Sequence, residues 1–394
     1  MIVRSIPQFW RNPVEALLVV TMLLVLFGMV NVFSASFVAA GQQFHDSYFY
    51  VKRHLMVLGI GLISLIFCAK IDYRRWRGRP LNYLMLGTLL VLILVPIMGL
   101  DANGAKRWIR LAGINFQPSE VAKLTAVLLS AAYLGPRIDR HRHITLFSQP
   151  IYVSLLMGVM VLKQPDMGTA VVIAGISLFL YVIAGIPRQQ ILGLFVSFCV
   201  ACVYLVFAAA YRAERIAAWL DPWAYQQGIG YQTVQSLLAI GSGGFFGTGF
   251  GMGSSKFYYL PEAHTDFAFA ILAQEMGFVG AVCVIFLLLV IGIYGVRIAL
   301  KAPDGFGTIL GLGLTSLIVG QAVANIAMVC GVIPVTGVPL PFISYGGTSL
   351  LVNMTAIGML MSIGRYGGAE RPSLSEVVPL ERPRLKLVRR RIEE

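Results

Sequence analysis

Carboxylates are scarce in this 394-residue chain, which has only 18 Asp and Glu against 31 Lys and Arg. Charged residues of both signs make up 12% of it and hydrophobic residues 57%. Ordinary soluble domains are about a quarter charged. That class is excluded, and an all-α polytopic membrane protein is indicated. Cysteine is also sparse. Cys68, Cys199, Cys202, Cys283 and Cys330 all fall inside apolar runs. That placement speaks against a disulfide framework and for small side chains packed between helices. There is no G-x-S-x-G and no Walker motif. His264 has no second His or Cys at ligand spacing, so a zinc site is rejected. Internal repeats and a soluble domain are missing too.

Long apolar stretches supply what the absences leave. A helix crosses the hydrocarbon with about 20 apolar residues. Ten such segments are found, at 14–37, 52–70, 81–100, 119–135, 149–163, 167–186, 190–211, 266–297, 307–332 and 344–364. The first is too long for a signal-peptide core and lacks a small-residue cleavage site, so it reads as a retained helix. With the N-terminus inside, 21 Lys and Arg fall on the inner side and 8 on the outer, Lys123 and Lys163 lying within spans. This bias places both termini in the cytoplasm. The net charge of +13 is therefore topology and attraction to anionic membrane lipid, not nucleic-acid binding. The expected domains are one membrane unit over 1–366 and a flexible basic tail over 367–394.

Residues 212–265 form one long outer segment between the seventh and eighth spans. It is rich in aromatics, and GYQTVQSLLAI within it reads as a short amphipathic helix containing Gln235. A Gly-rich run, GSGGFFGTGFGMG, follows. Aromatic content suits the membrane interface, so an ordered structure resting on the outer leaflet is expected.

Ionisable residues in a membrane are functional hypotheses by default. Four clusters gather at the outer ends of spans. NGAKRWIRLAGINFQPSEVAKL (103–124) puts Lys106, Arg107 and Arg110 in a basic outer loop. Ser119 is then a candidate helix cap, and Glu120 and Lys123 share one helix face at i, i+3. In KQPDMGTA (163–170), Lys163 and Asp166 suggest a tight turn with a local ion pair. Asp266 stands where the outer segment meets the eighth span, where a helix dipole alone could favour it. Glu275 lies nine residues further on and needs a partner the sequence does not name. Finally, Pro334, Pro339 and Pro341 forbid a continuous helix, and the Ser344-Tyr345-Gly346-Gly347 stretch opens the last span. Non-helical backbone at membrane depth must be buried or line a wet cavity. An outward cavity for a ligand with an anionic headgroup and an apolar tail follows.

These residues carry a resemblance. GSGGFFGTGFG, YLPEAHTDFAFAILAQEMG and PVTGVPLPFISYGGTS, with KRWIRL, QPSEVAKL and QPDMGTA, resemble the SEDS family (shape, elongation, division and sporulation), closest to its FtsW branch. The resemblance implies a ten-helix peptidoglycan glycosyltransferase that polymerises lipid II, the undecaprenyl-pyrophosphate disaccharide peptide, during septal synthesis. It implies Asp266 as the essential acidic residue and Glu120 with Lys123 as a buried ion pair. Gln274 stands where the family commonly has Glu. On this basis Asp266 is the expected base or, alternatively, the ligand of Mg²⁺ or another divalent cation. Lys106, Arg107, Glu120, Lys123, Gln235 and Ser344 are the expected substrate-binding residues. The implied partners are a class B penicillin-binding protein transpeptidase and other divisome membrane proteins, in the bacterial inner membrane at the septum. Competing readings are a lipid II flippase, or the same polymerase serving elongation or sporulation.

Overall fold

The computed structural model describes residues 12–102, 105–111, 114–207, 210–257 and 259–367. Ten helices correspond to the ten expected spans. They are α1 (Pro13–Phe44), α2 (Phe49–Lys70), α3 (Arg79–Met98), α4 (Pro118–Asp139), α5 (Gln149–Leu162), α6 (Met167–Ile183), α7 (Arg188–Phe207), α10 (Ala268–Leu300), α11 (Gly305–Val329) and α12 (Gly347–Tyr366). Two more, α8 (Ala210–Leu220) and α9 (Tyr231–Gly243), lie in the long outer segment. Among the described residues, α1–α4 and α10–α12 are long and apolar enough to cross a membrane, while α5 and α6 are shorter apolar helices. The chain is a multi-pass helical membrane protein.

Local chemistry sets several helix starts. Asn12 accepts the Val14 N–H at 3.0 Å, with Pro13 at the first helical position. Asp304 caps α11 through the Gly307 N–H at 2.6 Å. Ser119 does not cap α4. The helix begins one residue earlier, at Pro118, so Ser119 is already in the first turn and buried. Helix packing is close where side chains are small. A Cβ at Gly358 of α12 would lie 2.5 Å from the Leu65 carbonyl of α2, and nearby Ser64 and Thr355 hydroxyls meet at 2.7 Å. α4 approaches the start of α11 at Gly135 in the same way. α4 and α12 are the most buried of the spanning helices. On the periphery, Ile63 of α2 and Ile97 of α3 are 70% and 72% exposed, as lipid-facing side chains should be.

Three expectations are corrected. The basic stretch around Lys106 is a strand rather than a loop. β1 (Leu100–Ala102), β2 (Ala105–Leu111) and β3 (Ile114–Phe116) form a small antiparallel sheet in the order β1-β2-β3. Along β2, Lys106 and Arg110 are exposed, and Arg107, Trp108 and Ile109 between them are half-buried. The eighth span is not continuous either. Gly277 has φ 67° and ψ −166° and divides α10 into a short limb, 268–276, and a long one, 278–300. The Gly-rich loop after α9 fills the break. Phe278 and Val279 N–H groups donate to Gly244 and Phe245 carbonyls, while Thr248 and Gly249 N–H groups donate to Gln274 and Glu275 carbonyls. The freed backbone is thus satisfied inside the protein, as membrane depth requires. Lastly, Cys68 is buried as expected, but Cys283 and Cys330 are exposed. The side chains of Cys199 and Cys202, and the tail beyond Gly367, lie outside the described residues.

Candidate functional site

The backbone ahead of α10 is wound tightly before Asp266. Glu262 has φ 53°, and its carbonyl accepts the Thr265 and Phe267 N–H groups. Its carboxylate accepts the Thr265 hydroxyl at 2.6 Å. Asn325 of α11 then fixes the next step. Its side-chain amide donates to the Asp266 carbonyl and to the Val338 carbonyl, both at 2.8 Å. Asn31 of α1 donates to the Ala268 carbonyl at 3.0 Å. Asp266 is therefore held through its backbone from both flanks.

Its side chain is left open. The Asp266 carboxylate accepts no hydrogen bond among the described residues, and its Oδ2 lies against Gly337, where an added Cβ would sit 3.4 Å away. Gly337 has φ 70°, a conformation other residues resist. Burial pushes the Asp266 pKa up to about 7, the negative charges of Glu262 and Asp166 add to the rise, and Arg107 opposes it. Burial also lowers the pKa of neighbouring His264. That histidine packs among aromatics, its ring 4.5 Å from Tyr50, while its carbonyl accepts the Tyr345 N–H at 2.8 Å.

Arg107 is the cation this arrangement brings nearest. Its guanidinium donates to the Gln164 carbonyl at 3.2 Å and to the Pro165 carbonyl, which moors β2 to the turn between α5 and α6. Asp166, in that turn, caps α6 through the Thr169 N–H at 3.1 Å and accepts the Gln117 amide at 3.1 Å. The expected Lys163–Asp166 ion pair is not formed, and Lys163 is exposed.

The remaining expected residues divide. Lys106 is exposed on β2. Glu120 and Lys123 do pair, at 2.6 Å, but their side chains are only 2% and 1% exposed. They are buried in the protein interior and leave no exposed face for a ligand. Ser344 is also buried, and its hydroxyl accepts the Leu340 N–H at 3.0 Å, closing the turn after Pro339. Gln235 is half-buried in the middle of α9. Sequence reasoning missed three contributors: Asn325, Asn31 and Lys256, whose amine lies 2.7 Å from Glu275 at the far end of the short limb of α10. Lys256 carried a readable signal, a lysine on the outer side against the charge bias, immediately ahead of the Asp266 motif.

Among the described residues, no three or more His, Cys, Asp and Glu side chains converge into a cation cage. A single open carboxylate does match the way Mg²⁺ binds, with few protein ligands and several from water or phosphate. The site thus offers a carboxylate titrating near neutrality that no described residue bonds, with the charge of the Arg107 guanidinium acting on it.

Known proteins match this arrangement over nearly its whole length. The model of the FtsW/RodA/SpoVE cell cycle proteins matches residues 15–368. The chain belongs to the FtsW/RodA/SpoVE family. A probable peptidoglycan glycosyltransferase FtsW of Geobacter sp. (strain M18) is 41% identical over 358 residues, covering 89% of this chain and 97% of that protein. Stage V sporulation protein E of Bacillus subtilis is 39% identical over 360 residues, covering 90% and 98%. Among solved structures, a chain of a peptidoglycan synthase complex that coordinates polymerization and crosslinking superposes with TM-score 0.74 at 29% identity, covering 90% of this chain and 98% of that one. Thermus thermophilus rod shape determining protein RodA gives 0.63 at 27%, covering 90% and 97%. The FtsW/RodA/SpoVE match takes in β2, the broken helix α10 and the Pro-rich turn together, so every element that positions Asp266 lies within it.

Proposed function

We propose that this chain is a peptidoglycan glycosyltransferase that polymerises lipid II into β-1,4 glycan strands for the division septum. It would sit in the bacterial cytoplasmic membrane with both termini inside. The observation that carries this reading is the open Asp266 carboxylate, held by its backbone and raised to about 7. Its relatives named as peptidoglycan glycosyltransferases support the same activity. In the reaction, the 4-hydroxyl oxygen of the acceptor GlcNAc bonds to the anomeric carbon of the donor MurNAc. The bond from that carbon to the lipid pyrophosphate breaks, the hydroxyl proton passes to Asp266, and the α linkage inverts to β. General-base assistance of this kind is worth about 10²–10⁴-fold.

Arg107 and Lys106 are the proposed contacts of the departing pyrophosphate, where negative charge develops. Lys123 is left out of this role because it is buried on Glu120. Asp266 would also be the residue to hold a divalent cation such as Mg²⁺, whose contribution would be charge neutralisation at the pyrophosphate. A class B penicillin-binding protein, with other divisome membrane proteins, is the proposed partner.

The test uses the purified complex with that transpeptidase, reconstituted and supplied with lipid II. Wild type should make glycan strands, and Asp266→Asn and Asp266→Ala should not. Normal polymerisation by Asp266→Ala, or lipid II translocation in vesicles without polymer, would overturn the reading. The similarity to a sporulation protein supports a second setting for the same activity. A fluorescent fusion at midcell supports division, and one confined to the forespore supports sporulation.

A further inference from the structure

A cavity of about 600 Å³ lies between α8, the start of α9 and the Pro-rich turn. Trp219 of α8 and Tyr231 of α9 give it aromatic walls. Pro261 and Val335 also line it. Pro261 lies five residues before Asp266, and Val335 two before Gly337, against which the Asp266 carboxylate rests. Two of the segments that hold Asp266 thus reach the cavity. Its volume falls within the range of small-molecule sites, about 300–1,000 Å³.

The start of α9 gives the cavity its polar end. Gly230 is the N-cap, and no side chain caps the helix. A Cβ at 230 would lie 2.6 Å from the Pro222 carbonyl oxygen, so a capping side chain has no room there. The N–H groups of Gln232 and Thr233 have no acceptor among the described residues. Thr233 lines the cavity at only 6% exposure, and its hydroxyl is bonded to no described residue. Its methyl faces Gly331, where an added Cβ would sit 3.5 Å from it. Leaving a buried hydroxyl unpaired costs stability, so Thr233 points to a ligand. Two other polar residues of the lining are already engaged. The Trp219 indole N–H donates to the Gly331 carbonyl at 3.1 Å, which fixes the ring. Arg215 has an interaction of its own and adds only its charge. An uncapped helix start, with open N–H groups and a positive dipole end, selects an anion.

The substrate of the proposed reaction narrows the choice of anion. Its pyrophosphate is tied to the lipid and is assigned above to Arg107 and Lys106. The lactyl carboxylate of MurNAc is consumed in the amide bond to the stem peptide. The carboxylate at the far end of that peptide is free. We infer that the cavity is a subsite for the stem peptide of lipid II, with the peptide's C-terminal carboxylate at the start of α9 and its side chains against Trp219 and Tyr231. The inference rests on the polymerase reading and deepens it: the peptide would orient the sugar at Asp266 and select substrate molecules that carry an intact stem.

The experiment has two arms. In the first, saturation-transfer NMR measures binding of the N-acetylated stem peptide, its C-terminal amide and inorganic phosphate to the full chain in nanodiscs. The transpeptidase is left out, because it has its own peptide site. The acid peptide should bind wild type and Asp266→Asn equally. The amide should bind at least tenfold more weakly, since hydrogen bonds to a charged group are the stronger kind. Gln232→Leu with Thr233→Val should weaken the acid tenfold or more and leave the amide unchanged. In the second arm, the complex with a penicillin-acylated transpeptidase polymerises lipid II whose stem is free or amidated. Amidation should raise KM tenfold in wild type and no more than twofold in the double variant, a contrast that general damage to the fold would not produce. Thr233→Val alone, which keeps the shape of the side chain, serves if the double variant fails to fold. Equal binding of acid and amide overturns the inference, as does equal binding by wild type and the variants. Displacement of the peptide by phosphate at equal concentration overturns it also, leaving a general anion site. If the peptide binds as expected but no lipid II is polymerised, the polymerase reading falls and the cavity stands as a peptide site.

Discussion

Lys256 Nζ stands 2.7 Å from Glu275 Oε1, and the Ser34 hydroxyl lies 2.7 Å from both oxygens of the same carboxylate. Both charged side chains are almost fully buried. Three elements meet there: α1, the Gly-rich loop and the short limb of α10. Glu275 is at one end of that limb and Asp266 just beyond the other, so the pair anchors the structure that presents Asp266.

Breaking a buried pair strands a charge, which costs about 3–5 kcal/mol, whereas replacing both partners with apolar groups is often neutral. Glu275→Leu alone should therefore lower the thermal unfolding midpoint in micelles strongly. Adding Lys256→Met should return most of the loss. A double variant as unstable as the sum of the singles would show that the two side chains do not act as a pair.

Activity should follow the protonation of Asp266. Its folded pKa, about 7, is raised above the usual carboxylate value, chiefly by burial. The base form is depleted below that pH, so the polymerisation rate should fall about tenfold per pH unit under pH 6 and level off above pH 8. Arg107 opposes the rise. Arg107→Gln should move the midpoint upward, and the check is the pH profile of lipid II polymerisation in both proteins. An unmoved midpoint would separate Arg107 from the carboxylate.

Asn325 has a different role, since its side-chain amide donates to backbone carbonyls. Its amide ties the Asp266 carbonyl to the Val338 carbonyl. Misplacing a reacting group by about 1 Å can cost roughly 10²-fold. Asn325→Ala should reduce kcat by one to two orders of magnitude and leave KM for lipid II within about twofold. A rise in KM with normal kcat would assign Asn325 to substrate binding instead.

How far the sequence revealed this depended on the range of each interaction. Apolar length exposed the spans, and i, i+3 spacing exposed Glu120 with Lys123, because both signals are local. The prolines at 334, 339 and 341 announced the turn that brings Gly337 to Asp266. Other contacts join residues far apart: Ser34 and Glu275 are separated by 241 positions, and Asn325 and Asp266 by 59. No spacing rule reaches across such distances. β2 was hidden because its basic residues read as loop, and because Arg107, Trp108 and Ile109 are all half-buried, so no alternation of exposed and buried positions marks the strand. The break in α10 was hidden for the opposite reason, since a single glycine in an apolar helix is ordinary.

That glycine gives the last prediction. Gly277 combines φ 67° with ψ −166°, a region open essentially to glycine alone. A Cβ there would lie 2.3 Å from the Gly247 nitrogen and 2.6 Å from the Phe245 carbonyl oxygen, both backbone atoms with little freedom to yield. Gly277→Ala should therefore cost about 1–3 kcal/mol in strain and also push the Gly-rich loop off the break. The loop carries Lys256, so the Glu275 contact and the height of Asp266 should shift with it. Expected readouts are a lowered unfolding midpoint, new protease sensitivity within 244–256 and a loss of polymerisation larger than the loss of folded protein. Gly292→Ala, on the long limb of the same helix, is the control: its Cβ would meet only the flexible end of Val319 at 3.3 Å. If both alanine variants behave alike, the break at Gly277 has no part in holding the site.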